Sequence, residues 1–266
     1  MIVKFHTPGK DFDWIVRQYQ FIYSDPNEIV YDKFIPREDV ALVFHLGSRP
    51  HLVGEQSLVL PPYFLTPIKS RAHQIRCFGN LSTFIVLCNP TVLSKIFSVN
   101  MDNGEIPFLE LSAELFLPLW EKLVKCETEE SRINCFQEFI TGMNYPSYKP
   151  DTIDCFYHKI INEGVRTPLS RIENSFDLSE RTLQRKFRIR TGVTPKTLIR
   201  IVRINHIWNK LKKGETPDYQ NIVFEGNYFD QTHFIKDFKA ITGETPDCFF
   251  KRDLFYAKSL SGKQSE

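Results

Sequence analysis

The side chains in this sequence best placed to do chemistry are spaced for reading a surface rather than for breaking bonds. Arg181, Gln184 and Arg185 fall on one face of a helix whose other face carries Leu183 and Phe187. Further along, Gln231, Thr232, His233 and Lys236 stand in the same way against Phe234 and Phe238. Arginine makes bidentate contact with guanine O6 and N7, and glutamine with adenine N6 and N7, so both faces suit base edges in a major groove. Charge is distributed to match. The net charge is only +2, yet residues 1–150 hold 14 Lys and Arg against 17 Asp and Glu, and residues 151–266 hold 20 against 15. Arg181 to Lys213 contains eleven basic residues and no acidic one. Such asymmetry marks an anion-binding surface, most often for nucleic acid, although a solvated helix face also looks like this.

The two faces belong to an internal repeat. Ser179, Leu183, Arg185, Phe187, Thr191, Gly192, Thr194 and Pro195 recur, shifted by 51 positions, as Asp230, Phe234, Lys236, Phe238, Thr242, Gly243, Thr245 and Pro246. Each pair keeps a physical role. Ser179 and Asp230 are helix N-caps. Leu183/Phe187 and Phe234/Phe238 pin a helix to a core, and Gly192 and Gly243 suit a left-handed C-cap. The following Thr-Pro starts another helix. Two copies are too few for a solenoid, so the unit is a duplicated supersecondary motif.

Upstream of each cap lies a short helical segment and a tight turn, Leu169 to Phe176 then Asp177-Leu178, and Tyr219 to Gly226 then Asn227-Tyr228-Phe229. Helix, turn and capped helix make a helix-turn-helix. Asp177 and Asn227 stand where glycine is usual and are expected to take the positive φ of the turn. The motifs are expected at about 168–191 and 218–242, joined by a long helix at about 195–213. Some 18 residues at ~1.5 Å each give about 27 Å, near the ~34 Å between successive major grooves. Ser179, Arg188, Lys196, Arg200, Lys212, Lys213 and Asp230 are the candidates for contact with the DNA backbone, which positions a protein without specifying sequence.

The elements ahead of this region speak a different language. Asp39–Gly47, Ser57–Leu60 and Ser82–Cys88 are β-branched and aromatic runs bounded by turn residues, and prolines from 36 to 107 forbid long helices there. After Leu111 the period turns helical. The expected fold is thus α+β in two domains. Residues 1–145 form a β-rich barrel or sandwich with two helices at about 112–141, for sensing or dimerisation. Residues 151–255 form an all-α domain of about seven helices. At 266 residues, 42% hydrophobic and 25% charged, collagen-like, coiled-coil and disordered classes are excluded. No apolar run spans a bilayer and no signal peptide is evident, so the expected location is the cytoplasm and no membrane partner is expected. Six scattered cysteines read as reduced thiols.

Residues about 152–252 resemble the DNA-binding domain of the AraC/XylS family of bacterial transcription regulators. The stretches that carry the likeness are Leu178–Phe187, Thr191–Lys196, Asn227–Lys239 and Thr242–Pro246. The resemblance implies that Arg181, Gln184 and Arg185, with Gln231, Thr232, His233 and Lys236, face the bases of successive grooves. It departs at Glu173 and Val223, where the leading helices usually carry a small residue. The first half resembles, less specifically, a cupin-like sensing domain, which implies a small-molecule effector or a homodimer; an activator would also meet RNA polymerase. His45, His51, Glu55 and His73 could be assembled into a cupin-style metal site, but lack the His-x-His spacing, so neither metal nor cofactor is expected. Against the regulator stands an enzyme or small-molecule-binding protein built on the β domain. No phosphate loop, nucleophile elbow or His-Glu-x-x-His supports catalysis, and Cys77 and Cys88 lack a context that would make either a methyl acceptor.

Overall fold

The computed structural model describes residues 2–25, 27, 29–54, 57–102, 104, 107–143, 148–210 and 218–251. Among these the first part contains β1 (Ile2–His6), β2 (Val16–Tyr23), β3 (Val30–Phe34), β4 (Val40–His45), β5 (His51–Val53), β6 (Leu58–Val59), β7 (Tyr63–Thr66), β8 (His73–Cys77) and β9 (Ser82–Cys88). They pair into two sheets, β1-β2-β9-β4-β7 and β3-β8-β5-β6. Period-two alternation sorts the side chains of β4 and β9. Ala41, Val43, Ile85 and Leu87 pack between the sheets. Leu42, Phe44, Phe84 and Val86 join the cluster that contains the helical residues Phe116 and Phe136. The central strands are therefore covered on both faces, which explains their unbroken apolar runs.

The expected pair of helices is present as α2 (Ala113–Lys125) and α3 (Glu129–Gly142). They are preceded by a third, α1 (Pro90–Ile96), which corrects the count of two. Pro90, read as a breaker, occupies the first turn of α1, where a missing N–H costs nothing, and the Asn89 side chain accepts from the amides of Thr91 and Val92.

The second part is helical: α4 (Thr152–Glu163), α5 (Leu169–Glu173), α6 (Glu180–Thr191), α7 (Pro195–Lys210), α8 (Tyr219–Glu225), α9 (Gln231–Thr242) and α10 (Pro246–Lys251). The stripe Leu198, Ile201, Val202, Ile204 and Trp208 of α7 is buried, as its period requires. Leu211, Lys212 and Lys213, and with them the expected end of this helix, lie outside the described residues. No helix among the described residues is long and apolar enough to cross a membrane.

One apolar cluster runs through both parts, from Val86 and Leu93 to Phe156, Phe187 and Phe238. Arg190, at the end of α6, pins the junction. Its guanidinium donates to Thr91 O at 2.8 Å and pairs with Asp151 at 2.9 Å and Asp154 at 3.0 Å. Tyr148 donates to the same Asp154 at 2.7 Å. Despite partial burial, the guanidinium beside Asp151 holds its carboxyl well below the ordinary range.

Candidate nucleic-acid interface

The two copies of the repeat are built by the same hydrogen bonds. Ser179 accepts from the amide of Thr182, and Asp230 from that of His233 at 2.7 Å. At the far ends, Thr191 Oγ1 donates to Phe187 O at 2.9 Å and takes the amide of Val193 at 3.4 Å. Fifty-one positions on, Thr242 Oγ1 donates to Phe238 O at 2.9 Å and takes the amide of Glu244 at 3.4 Å. Gly192 and Gly243 close the helices at φ 86° and 81°, the left-handed region that a side chain strains. The turns differ. Asn227 takes φ 52° as expected, but Asp177 is not among the described residues of positive φ.

The two outward faces are not equally available. On α9, Gln231, Thr232, His233 and Lys236 are all exposed. On α6, Arg181 and Arg185 are exposed, but Gln184 is half-buried and its amide donates to Glu173 and to Glu180, each at 2.9 Å. Glu173, the unusual residue of the leading helix, is itself buried. Its carboxylate therefore finds a donor in the Gln184 amide, a member of the candidate face. Val223, its counterpart, makes no such demand.

Other candidates are also engaged. Arg188 pairs with Asp102 at 3.0 Å, and Arg200 with Asp237 at 3.0 Å, fastening α7 to α9. Lys196 is exposed, while Lys212 and Lys213 lie outside the described residues. The basic run thus divides by role, and spacing alone gave no sign that Arg190 turns inward.

Sequence reasoning also missed how the β-rich part meets both motifs. The amide of Met101 donates to Ile189 O at 2.8 Å, and the amide of Ala72 to Ile241 O at 2.7 Å. Carbonyls at the ends of α6 and α9, which a helix leaves without internal partners, are thus satisfied from the other part of the chain. Lys33, buried, donates to Thr242 O at 3.2 Å and pairs with Glu244 at 2.6 Å. Only long-range packing brings Lys33 and Glu244 together, so no local signal could have found them.

Among the described residues no group of three or more histidine, cysteine, aspartate or glutamate side chains is placed to hold a metal. His45 and His73 line one cavity, His51 bonds Ser57 at 3.0 Å, and Glu55 lies outside the described residues. The cavity, about 90 Å³, lies between the sheets and is walled by Ile22, Phe34, Val43, Phe64, Ile75 and Phe108 among others. His45 Nδ1 bonds Thr83 Oγ1 at 2.9 Å, and its Nε2 is buried without a hydrogen-bond partner. Burial pushes the imidazole down to about 3, so it is neutral.

Residues 173–252 match the family model described as a helix-turn-helix domain. The segment is a helix-turn-helix domain. It holds both capped helices. No curated protein matches the chain. Among solved structures the chain is similar to ToxT from Vibrio cholerae, at 13% identity over 88% of this chain and 97% of that one, with a TM-score of 0.49. A structure of ToxT from the same organism with bound unsaturated fatty acid gives 14%, 87%, 94% and 0.48. The AraC-like transcriptional activator CuxR gives 11%, 80%, 88% and 0.28. Likenesses this distant transfer neither a residue role nor a ligand to this chain.

Proposed function

We propose that this chain is a sequence-specific, effector-responsive transcription regulator that places α6 and α9 in successive major grooves of duplex DNA. In this reading residues 1–145 are the sensing and dimerisation domain and residues 151–255 the DNA-binding domain. Arg181, Gln184, Arg185, Gln231, Thr232, His233 and Lys236 read bases. Ser179, Arg188, Lys196, Arg200, Asp230 and the lysines at 212 and 213 serve the backbone contacts.

The observation that carries the reading is the duplicated helix with its polar face outward, reproduced at both caps. The described part of α7, 16 residues, spans about 24 Å and joins the two. The response to an effector rests on two further features. An apolar cavity with one unsatisfied imidazole nitrogen suits a small, mostly apolar molecule bearing one hydrogen-bonding group. The β-rich part also holds the far ends of both reading helices, so a shift in it is felt at both.

Selection of duplexes from a random pool by the full chain tests the function. An enriched site should bind at least ~10³-fold more tightly than scrambled duplex at physiological salt, with affinity falling steeply as salt rises. Equal affinity for both duplexes would leave only non-specific charge attraction. Turnover of a substrate without DNA would instead favour the enzyme reading.

A further inference from the structure

From the buried isoleucine of the leading helix to the N-cap of the next, the second motif has one residue more than the first, Ile222 to Asp230 against Ile172 to Ser179, and this has a consequence at its surface. In the first motif the residue before the N-cap is Leu178, which packs against the core. That is the usual task of an apolar side chain at this position, which closes the entry to the helix. In the second motif Asn227 takes the extra, left-handed position. Tyr228 then fills the core slot, buried, with its ring 5.4 Å from that of Phe234. Phe229, the residue before the N-cap Asp230, is left 91% exposed. It does not do the structural work of Leu178.

Its position says what it can do. Phe229 precedes the first turn of α9, next to Gln231 and Thr232, which are exposed on the same end of the helix. The neighbouring carboxylate of Asp230 is occupied as the helix cap, accepting from His233 N. A large apolar group is thus presented at the tip of a base-reading helix, among uncharged polar side chains. In a major groove the one apolar feature on a base-pair edge is the 5-methyl group of thymine.

We propose that Phe229 reads a thymine methyl group at the edge of the base block recognised by α9. This rests on the reading of α9 as a recognition helix. Contact with the methyl would remove the ring from water only in the complex, adding specificity at a position that Gln231 and Lys236 do not serve.

The test uses the full chain and its selected duplex, in which each thymine is replaced singly by deoxyuridine, which lacks only the methyl. One replacement, within the block that Gln231→Ala relaxes, should weaken binding roughly fourfold, the worth of one buried methyl group. Phe229→Ala should bind the thymine and uracil duplexes equally, at the level of the unaltered protein on uracil. Phe224→Ala, which removes the other well-exposed phenylalanine of this motif, at 82%, should keep the fourfold ratio. The proposal is overturned if no uracil weakens binding, or if Phe229→Ala keeps the ratio. A change of oligomeric state in Phe229→Ala, with the ratio intact, would assign the ring to a protein contact instead. If no duplex is enriched at all, the failure lies with α9 as a reading helix and takes the proposal with it.

Discussion

The two helix-turn-helix motifs are the same object at the level of the backbone and different objects at the level of the side chains. Both close through a threonine that bonds back to a phenylalanine carbonyl, and both end on a left-handed glycine. The first has its glutamine held by Glu173 and Glu180, and Arg188 and Arg190 committed to the rest of the chain. The second leaves its outward face exposed and adds Phe229 to it. Duplication fixes a scaffold, because caps and core positions are needed in every copy. The exposed positions carry no such constraint and are where the copies differ.

The largest effect expected from this difference concerns how each motif is held. Lys33 and Glu244 are a buried pair, so Lys33→Ala leaves a carboxylate buried and should cost about 3 kcal/mol in a denaturant melt. Asp102→Ala, which removes the more exposed partner of Arg188, should cost less than ~1 kcal/mol. Equal losses would mean that the β-rich part grips both motifs alike. Next come the glycines. Gly243→Ala should cost about 1 kcal/mol for its left-handed backbone alone, since the nearest atom to an added Cβ is Lys33 Nζ at 3.8 Å. Gly192→Ala should cost distinctly more, because the same Cβ would lie 2.9 Å from Met101 O.

At the reading faces, Gln231→Ala should lose about 1–3 kcal/mol at particular base pairs and relax preference there, as measured by binding to single-substitution duplexes. Gln184→Ala should change specificity less, since that amide is already bonded on both sides. Glu173→Ala should then enlarge the later effect of removing Gln184. The smallest difference between the motifs is expected from pH. Burial pushes Asp39 up to about 6, against the pull of Arg37. The folded chain keeps that proton through a window, between about pH 4 and pH 6, in which the unfolded chain releases it. Its contribution is therefore complete below that window and is lost as pH rises through about 6. Asp39→Asn should remove this slope from melts without altering either motif's base preference.

Much of this scaffold was legible from residue type alone. Ser179, Asp230, Gly192, Gly243 and the apolar pairs act locally, through bonds within a turn or two, so spacing suffices to find them. The central strands were legible because burial on both faces writes a continuous apolar run. Helix α1 was hidden because proline breaks a helix interior and begins a helix equally well, and only the neighbouring Asn89 cap distinguishes the two. Glu180, four residues before Gln184, is a local sign that its amide is engaged, but nothing local signals that Glu173 also takes it, that Arg190 turns inward, or that Lys33 meets Glu244. Those roles depend on partners 11, 36 and 211 positions away.

The most direct test of the account is a full single-substitution scan of the selected duplex against the unaltered chain, Gln184→Ala and Gln231→Ala. The account predicts two blocks of sensitive base pairs about 10 bp apart, centre to centre. The block relaxed by Gln231→Ala should carry the larger penalties. A single block, or two blocks that Gln184→Ala and Gln231→Ala relax to the same extent, would contradict it.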